Sequence, residues 1–199
     1  NEKVALEAAI GASFAGGRSL ASMKHVGVNV AADPLFTFSY IGVNGASVLI
    51  TADEPGMHSS QNEQDNRNYA KFAKIPMLEP SNSQESKDML IDAFNISEQF
   101  DTVVLYRMTT RVCHSKSIVE FGERQVVELK PYERDLDKYV SVPSNGRKNR
   151  HKVEARLEKL KIYSETSKWN YEVQNNSKIG VSALPLFLNR DEVFMVSLL

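Results

Sequence analysis

The sequence predicts an α/β fold with a parallel, doubly wound sheet. Short apolar runs of strand type occupy residues 19–23, 47–52 and 102–108, and segments of helical pattern alternate with them. Strands that alternate with helices at these lengths form βαβ units, in which neighbouring strands run parallel. Ligands of such sheets bind beyond the carboxyl ends of the strands. We therefore expect the polar loops after the three strands to lie close together on one edge.

The first element is a helix that starts after Asn1 and ends before Gly16 and Gly17. The asparagine side chain can accept from the first free backbone N–H groups, and the glycine pair can turn the chain off the helix end. Small and apolar residues cover most of its circumference, which is typical of a helix packed closely against other protein. Glu2 lies in the first turn. There a carboxylate needs no function, because it complements the helix dipole by about 0.3–1 kcal/mol.

Polar and small residues crowd the loop after the first strand, among them Lys24, His25 and Asn29. Helical character resumes at about Pro34. Asp33 can cap that helix, and proline is favoured in a first helical turn. We therefore expect a loop and then a helix between the first two strands.

The second strand ends at residues 53–56, where proline and glycine break regular structure. The pattern that follows predicts, in order, a polar loop at 58–67, a helix near 68–74, a short strand at 77–79 and a helix at 83–100. The last of these helices has a clear amphipathic pattern, since its apolar residues recur near one face.

Beyond the third strand the periodicity is weaker. Residues 119–129 suit a short hairpin or an extended arm, and 130–149 are typical of a linker. A charged helix follows at 147–164, in which Glu154 and Glu158 alternate with lysines and arginines. That alternation favours ion pairs on a solvated face over a nucleic-acid patch. The predicted units are a domain at 1–118, a linker with a charged helix at 119–177, and a segment at 178–199.

Composition indicates a globular protein. With 199 residues, 42% of them hydrophobic, the chain can bury one core. A formal net charge of −1 gives no electrostatic case for nucleic acid or an anionic membrane. No apolar run approaches the roughly 20 residues that span a bilayer. Cys113 is the only cysteine, so no disulfide framework or cysteine metal motif is available, and a cytoplasmic setting fits best.

Four stretches of the chain resemble one enzyme family. They are RSLASMKHVGVNVAAD at 18–33, PLFTFSYIGVNG at 34–45, DEPGMHSSQNEQDNRNYAKFAKIPMLEPS at 53–81 and TTRVCHSKS at 109–117. Together they are similar to the large (alpha) subunit of indolepyruvate:ferredoxin oxidoreductase, a thiamin diphosphate enzyme. The similarity fades after the charged helix. It implies the pyrimidine-binding domain of that fold, and it implies that Glu2 contacts the aminopyrimidine ring of the cofactor.

Glutamate suits that role chemically. A carboxylate that hydrogen-bonds the pyrimidine N1′ favours the imino tautomer, whose 4′ nitrogen can remove the proton from the thiazolium C2. General acid–base catalysis of this kind contributes on the order of 10²–10⁴-fold.

Substrate contacts are expected from the loops that follow the three strands. The candidates for contact with the reactive ring or the carboxylate of a 2-oxo acid are Lys24, His25, His58, Ser59, Gln61 and Arg111. The alternatives are a solvated or structurally hydrogen-bonded role for each histidine, and an ion pair with an acidic loop residue for Arg111. Cys113 is expected to be a small apolar filler.

The resemblance implies further groups that these residues do not bind. Relatives hold the diphosphate and Mg²⁺ through a later domain and bind [4Fe-4S] clusters through cysteine motifs, and neither motif occurs here. We therefore expect no metal site. The implied partners are the smaller (beta) subunit, ferredoxin, coenzyme A and an aryl 2-oxo acid. The chain is expected to be inactive alone, since it is identified as a fragment that lacks the opening strand and helix of the family.

The carboxyl-terminal tail departs from the family pattern. Residues 178–181 resemble the opening strand of the next domain, but the sequence from 182 onward does not continue it. A frameshift, truncation or assembly error would explain this, and sequencing the locus through that position tests it.

Two other functions stay open. One is a related oxidoreductase for pyruvate or 2-oxoglutarate, although the loop GMHSSQNEQDNR favours the indolepyruvate branch. The other is a non-catalytic α/β interaction module.

Overall fold

Four parallel strands form one sheet in the order β1-β2-β4-β3. The computed structural model describes residues 1–170. In it the strands are β1 (Ser19–Lys24), β2 (Ser47–Asp53), β3 (Met77–Leu78) and β4 (Val104–Thr109). The register aligns Lys24 with Ala52 and Asp53 with Thr109, so the central strands end together. This confirms the predicted parallel α/β sheet.

Helices cover both faces of the sheet. They are α1 (Glu2–Phe14), α2 (His25–Val30), α3 (Ala32–Ile41), α4 (Arg67–Ala73), α5 (Ser83–Phe100), α6 (Thr110–His114), α7 (Leu136–Tyr139) and α8 (Pro143–Thr166). Leu49 and Leu105 pack with α1 to α4 on one face, whereas Val48, Val104 and Tyr106 pack with α5 and α8 on the other. Successive side chains of each strand point to opposite faces and so enter two separate cores, as a doubly wound sheet requires.

Helix α1 has the predicted cap but not the predicted burial. Asn1 Oδ1 accepts from the backbone N–H of Val4 at 3.2 Å. Gly16 follows the helix with a φ of +93°, and a Cβ there would lie 1.8 Å from the carbonyl oxygen of Lys130. Leu6 is buried, but Val4 is 59% exposed and several alanines of the same helix are exposed as well. The prediction of burial on most sides is therefore wrong within residues 1–170.

The predicted loop after β1 is instead the short helix α2. Val28 of this helix is fully buried in the core, and tertiary packing of this kind stabilises a short helix that its own residues favour weakly. The predicted cap of α3 is also wrong. Ala31 occupies the N-cap position, while Asp33 lies inside the first turn and pairs with Lys3 at 3.1 Å.

Helix α5 confirms its predicted bounds. Asn82 caps it by accepting from the N–H of Glu85 at 2.9 Å. Asp101 ends it in the left-handed conformation with a φ of 51°. The Asp101 carboxylate then accepts from the N–H of Val43 at 2.8 Å and from Lys138 Nζ at 2.9 Å.

The region between α6 and α7 contains no strand, so an extended arm and not a hairpin follows β4 in the described part of the chain. Two backbone N–H groups of this arm are anchored, one to the start of α5 and one to the residue after the C-cap of α1. The N–H of Glu120 donates to Gln84 Oε1 at 2.7 Å, and the N–H of Lys130 donates to the carbonyl of Gly16 at 3.1 Å.

Helix α8 begins at Pro143, so much of the predicted linker is helical. The side chain of Asn145 donates to the carbonyls of Leu136 and Val140, both at 3.1 Å, which ties α8 to α7. The predicted ion pairs along the helix are present, since Lys161 pairs with Glu158 at 3.1 Å and Arg150 pairs with Glu154.

The sequence predicted a solvated face for the lysines and arginines of this helix, and for Arg156 that prediction is wrong. Its side chain is buried and donates to the backbone carbonyls of Ser39 and Asp101. These carbonyls lie at the carboxyl ends of α3 and α5, where helices leave carbonyl groups without internal partners. One guanidinium therefore caps two helices.

No helix within residues 1–170 is long and apolar enough to cross a bilayer. The predicted strand at 178–181 and the divergent tail lie outside the described residues.

Candidate active site

The carboxyl edge of the sheet brings the three predicted loops together. Lys24 and Ala52 are register partners, and the hydroxyl of Thr110 donates to the backbone carbonyl of Asp53 at 3.2 Å. Helix α2, the loop at 54–66 and helix α6 all start here. The side chains that follow β1, β2 and β4 consequently share one edge, as the sequence predicted.

Glu2 lies in the first turn of α1, against α2. It is half-buried, and within residues 1–170 its carboxylate makes no hydrogen bond or ion pair. Its side chain packs against Gly27, where an added Cβ would lie 2.8 Å from the methylene Cγ and 3.4 Å from the carboxyl carbon Cδ of Glu2. A partly desolvated carboxylate without a protein donor is able to accept a hydrogen bond from a ligand, and this is the role that the resemblance implies.

His25 is the first residue of α2 and is fully buried. Its Nε2 lies 3.1 Å from the carbonyl oxygen of Asn62, and since a carbonyl only accepts, Nε2 carries the proton. Its Nδ1 is buried without a partner in the described part of the chain. The ring is thus hydrogen-bonded inside the protein rather than presented to solvent.

Behind this edge the buried carboxylate of Asp53 accepts three hydrogen bonds from other residues in the described part of the chain. It accepts from Thr51 Oγ1 at 2.8 Å, from the N–H of Asn66 at 3.0 Å and from Arg107 Nε at 2.7 Å. The amide of Asn66 donates in turn to Thr51 Oγ1 at 2.6 Å and to the carbonyl of His25 at 3.2 Å. Asp53 and Asn66 together fix the end of the loop at 54–66 and the start of α2.

Arg107 is shared between two carboxylates. Besides Asp53 it donates to Glu79, and Asp65 Oδ1 lies 4.0 Å from its Nε. Desolvation raises the pKa of Glu79 despite the guanidinium. Burial also opposes ionisation of Asp65, but the hydrogen bonds and charge of Arg67, with the charge of Arg107, hold its pKa below the usual value.

Two of the predicted contacts gather around Glu54. Its carboxylate accepts from the N–H of Ser59 at 3.1 Å and from the Ser59 hydroxyl at 3.4 Å. The hydroxyl of Ser60, the N–H of Ser59 and the charge of Lys24 lower the pKa of Glu54. Lys24 and Ser59 therefore belong to one polar cluster around Glu54 at the carboxyl edge of the sheet.

The other predicted contacts are exposed. His58 and Gln61 lie on the outer part of the same loop, and Arg111 lies on α6. Within residues 1–170 Arg111 has no ion pair with an acidic loop residue. Cys113 is exposed rather than an apolar filler, so that expectation is wrong, and desolvation raises the pKa of its thiol.

Sequence reasoning missed the network of Asp53, Asn66, Arg107 and Glu79, and it missed the contact of Gly27 with Glu2. One signal was available, since Arg107 interrupts an otherwise apolar strand. A charge inside such a strand needs a buried partner. In the part of the chain that the structure describes, no group of histidine, cysteine and acidic side chains is arranged to hold a metal.

Comparisons with a family profile and with curated proteins point to the same enzyme family. The profile of the family described as "Pyruvate flavodoxin/ferredoxin oxidoreductase, thiamine diP-bdg" matches residues 1–178. The chain is 47% identical over 188 residues to "Indolepyruvate oxidoreductase subunit IorA" of Archaeoglobus fulgidus, which covers 94% of this chain and 30% of that protein. Proteins of the same name from Methanothermobacter marburgensis and Pyrococcus horikoshii are 45% and 44% identical over 92% of the chain. The chain spans about 30% of the length of the curated relatives that it matches.

Proposed function

Because the chain belongs to the thiamin diphosphate-binding domain family of the pyruvate flavodoxin/ferredoxin oxidoreductases, we propose that it is the pyrimidine-binding domain of an indolepyruvate:ferredoxin oxidoreductase large subunit. The observation that carries this proposal is Glu2. Its carboxylate is half-buried at the carboxyl edge of the sheet and has no partner within residues 1–170. The names of the relatives favour indolepyruvate over pyruvate or 2-oxoglutarate.

The proposed reaction is the oxidative decarboxylation of an aryl 2-oxo acid to an acyl-coenzyme A, with electrons passed to ferredoxin. Thiamin diphosphate, when bound, supplies the stabilised carbanion. The contribution of this chain is to hold the pyrimidine ring and its proton at N1′ through Glu2. Mg²⁺ and [4Fe-4S] clusters belong to other parts of the full-length subunit in this proposal.

The substrate contacts follow from position on the edge. Lys24 and Ser59 lie in the cluster around Glu54, and Arg111 follows β4 on the same edge. A lysine or arginine there can pair with the carboxylate of a 2-oxo acid. We assign His25 to positioning α2, since its ring is buried, while His58 and Gln61 lie on the outer loop where only a larger substrate or another domain reaches them.

The partners follow from the same assignment. The relatives are named as subunits, which supports a second, smaller subunit as the partner. Ferredoxin, coenzyme A and a cytoplasmic location complete the proposal. They rest on the family chemistry and on the single cysteine of the chain.

The test is a Glu2→Gln substitution in the full-length subunit, assembled with its partner and assayed anaerobically on indolepyruvate, phenylpyruvate and pyruvate. We expect the rate with the aryl substrates to fall by about 10²–10⁴-fold, while cofactor still binds. Glu7→Gln is the matched control, because Glu7 lies on the same helix and is exposed. A Glu2→Gln enzyme as active as wild type would show that Glu2 is only a helix-end charge.

A further inference from the structure

We infer that Gly27 is a positioning residue for the Glu2 carboxylate. This inference rests on the proposed function, because it concerns how the chain holds the side chain that contacts the pyrimidine ring. The geometry behind it is the close approach of the two residues. An alanine Cβ at position 27 would lie 2.8 Å from Glu2 Cγ, 3.0 Å from Met23 Cβ and 3.4 Å from Glu2 Cδ.

Backbone strain does not explain the glycine. Gly27 lies within α2, and it is not among the residues with positive φ in the described part of the chain. An L-residue can adopt its conformation, so what position 27 excludes is a side chain. The space that a Cβ would fill is occupied mainly by Glu2.

Helix α2 cannot move away to make room. The carbonyl of His25 accepts from Asn66 at 3.2 Å, and Asn29 Nδ2 donates to Gln64 Oε1 at 2.8 Å, so both ends of the helix are tied to the loop at 54–66. Val28 is fully buried in the core. Met23 lies in β1, where its backbone is aligned with Thr51 of β2.

The Glu2 side chain is therefore the part that must move. Its carboxylate makes no hydrogen bond or ion pair within residues 1–170. Rotation about the side-chain bonds of Glu2 therefore relieves the clash with an alanine Cβ at position 27. The fold survives such a rotation, but the carboxylate leaves its place against α2. A displacement of about 1 Å of a group that must meet a reacting centre can cost on the order of 100-fold in rate.

The experiment uses the full-length subunit with its partner subunit, loaded with thiamin diphosphate and Mg²⁺. The primary readout is the rate of hydrogen–deuterium exchange at C2 of the bound cofactor, which is measured without substrate. Cofactor affinity and the thermal midpoint are measured beside it. Gly27→Ala is expected to slow C2 exchange by about 10–100-fold. Gly11→Ala is the matched control, because an alanine Cβ there meets nothing within 4 Å, and it is expected to leave exchange unchanged.

A double variant separates this role from a general packing role. If Gly27 acts through Glu2, then Gly27→Ala adds no further loss of exchange to the Glu2→Gln enzyme. Loss in the double variant equal to the product of the two single losses would show that Gly27 acts by another route, and the inference would be wrong.

The remaining outcomes distinguish the two proposals. Normal exchange in Gly27→Ala beside slow exchange in Glu2→Gln overturns the role of Gly27 and leaves the proposed function standing. Normal exchange in Glu2→Gln overturns the proposed function, and the role of Gly27 falls with it. Should Gly27→Ala fail to fold, the Glu2→Ala/Gly27→Ala variant lacks the colliding Cγ. Its folding supports the contact, and its failure to fold overturns it.

Discussion

Glu2 and Asp53 are two carboxylates near the same edge of the sheet, with opposite surroundings. Asp53 is 1% exposed and accepts from a hydroxyl, a backbone N–H and the Arg107 guanidinium. Glu2 is half-buried and has no donor within residues 1–170. The charge of Asp53 is thus compensated inside the domain and stabilises the fold. No donor within residues 1–170 reaches the Glu2 carboxylate, and in the proposed function the pyrimidine ring of the cofactor takes that place.

The largest effect on stability is expected from removing the Asp53 carboxylate. Asp53→Ala leaves Arg107 buried with Glu79 as its close partner, and breaking a buried ion pair costs about 3–5 kcal/mol in free energy of unfolding. Native-state hydrogen exchange of the β2 and β4 amides in the full-length subunit measures this. Asp33→Ala is the control, since that side chain is 81% exposed and solvent screens its ion pair with Lys3. Equal protection in the two variants would contradict the comparison.

A smaller effect on stability is expected at Asn66, which links the Asp53 network to helix α2. Asn66→Ala removes the donors to Thr51 Oγ1 and to the carbonyl of His25, and unsatisfied buried groups cost about 1–3 kcal/mol. Because the carbonyl of His25 starts α2, the amides of α2 should exchange faster than in wild type. Asn68→Ala is the control, because Asn68 is exposed and its side chain makes a single hydrogen bond within residues 1–170, to the carbonyl of Asp65. Unchanged exchange in α2 would show that Asn66 does not hold this helix.

Acid should weaken the buried region through Asp65. Its folded pKa lies below the 3.8 of a free aspartate, so its contribution to stability is present above that pH and is lost as the pH falls through the folded pKa. Because the side chain is partly exposed, we expect only about 0.5–1 kcal/mol. Pulse proteolysis with pepsin compares wild type with Asp65→Asn. The difference in stability between the two proteins should be constant above pH 3.8 and should shrink to zero at lower pH. A difference that grows at low pH would contradict the sign of the prediction.

The smallest effect on stability is expected at Glu2. In the absence of cofactor, Glu2→Gln should change the free energy of unfolding by at most about 0.5 kcal/mol, since only a helix-end charge is lost. Hydrogen exchange of the α1 amides measures it. A loss as large as that in Asp53→Ala would mean that Glu2 belongs to the structural network after all.

Local signals explain what could be predicted from the sequence. Helix α5 has a capping asparagine at its start and a strong amphipathic pattern, so its bounds could be read directly. Helix α2 could not be predicted in this way. It has six residues, including a glycine and three valines, and it forms because Val28 and Gly27 fit against the core and against Glu2. The cap of α3 was missed for the same reason, since α2 leads almost directly into it.

The candidate site divides along a similar line. Glu2 is a candidate only through the resemblance, whereas the meeting of the three loops follows from the parallel sheet. The partners of Asp53 could not be found from local sequence, because Arg107 lies 54 residues away and reaches Asp53 only through the pairing of β2 with β4. Burial of Arg156 was missed because its helix carries many solvated cations, and only the fold shows which one caps α3 and α5.

The position of Arg156 affects the order in which a ribosome can complete this domain. All four strands have been synthesised once residue 109 has been added. The carbonyls of Ser39 and Asp101, however, receive their donor from a residue 117 and 55 positions further along the chain. At about 5–20 residues per second, synthesis from residue 109 to Arg156 takes roughly 2–9 s. During those seconds all four strands have been synthesised, but the carbonyls of Ser39 and Asp101 still lack the guanidinium that donates to them.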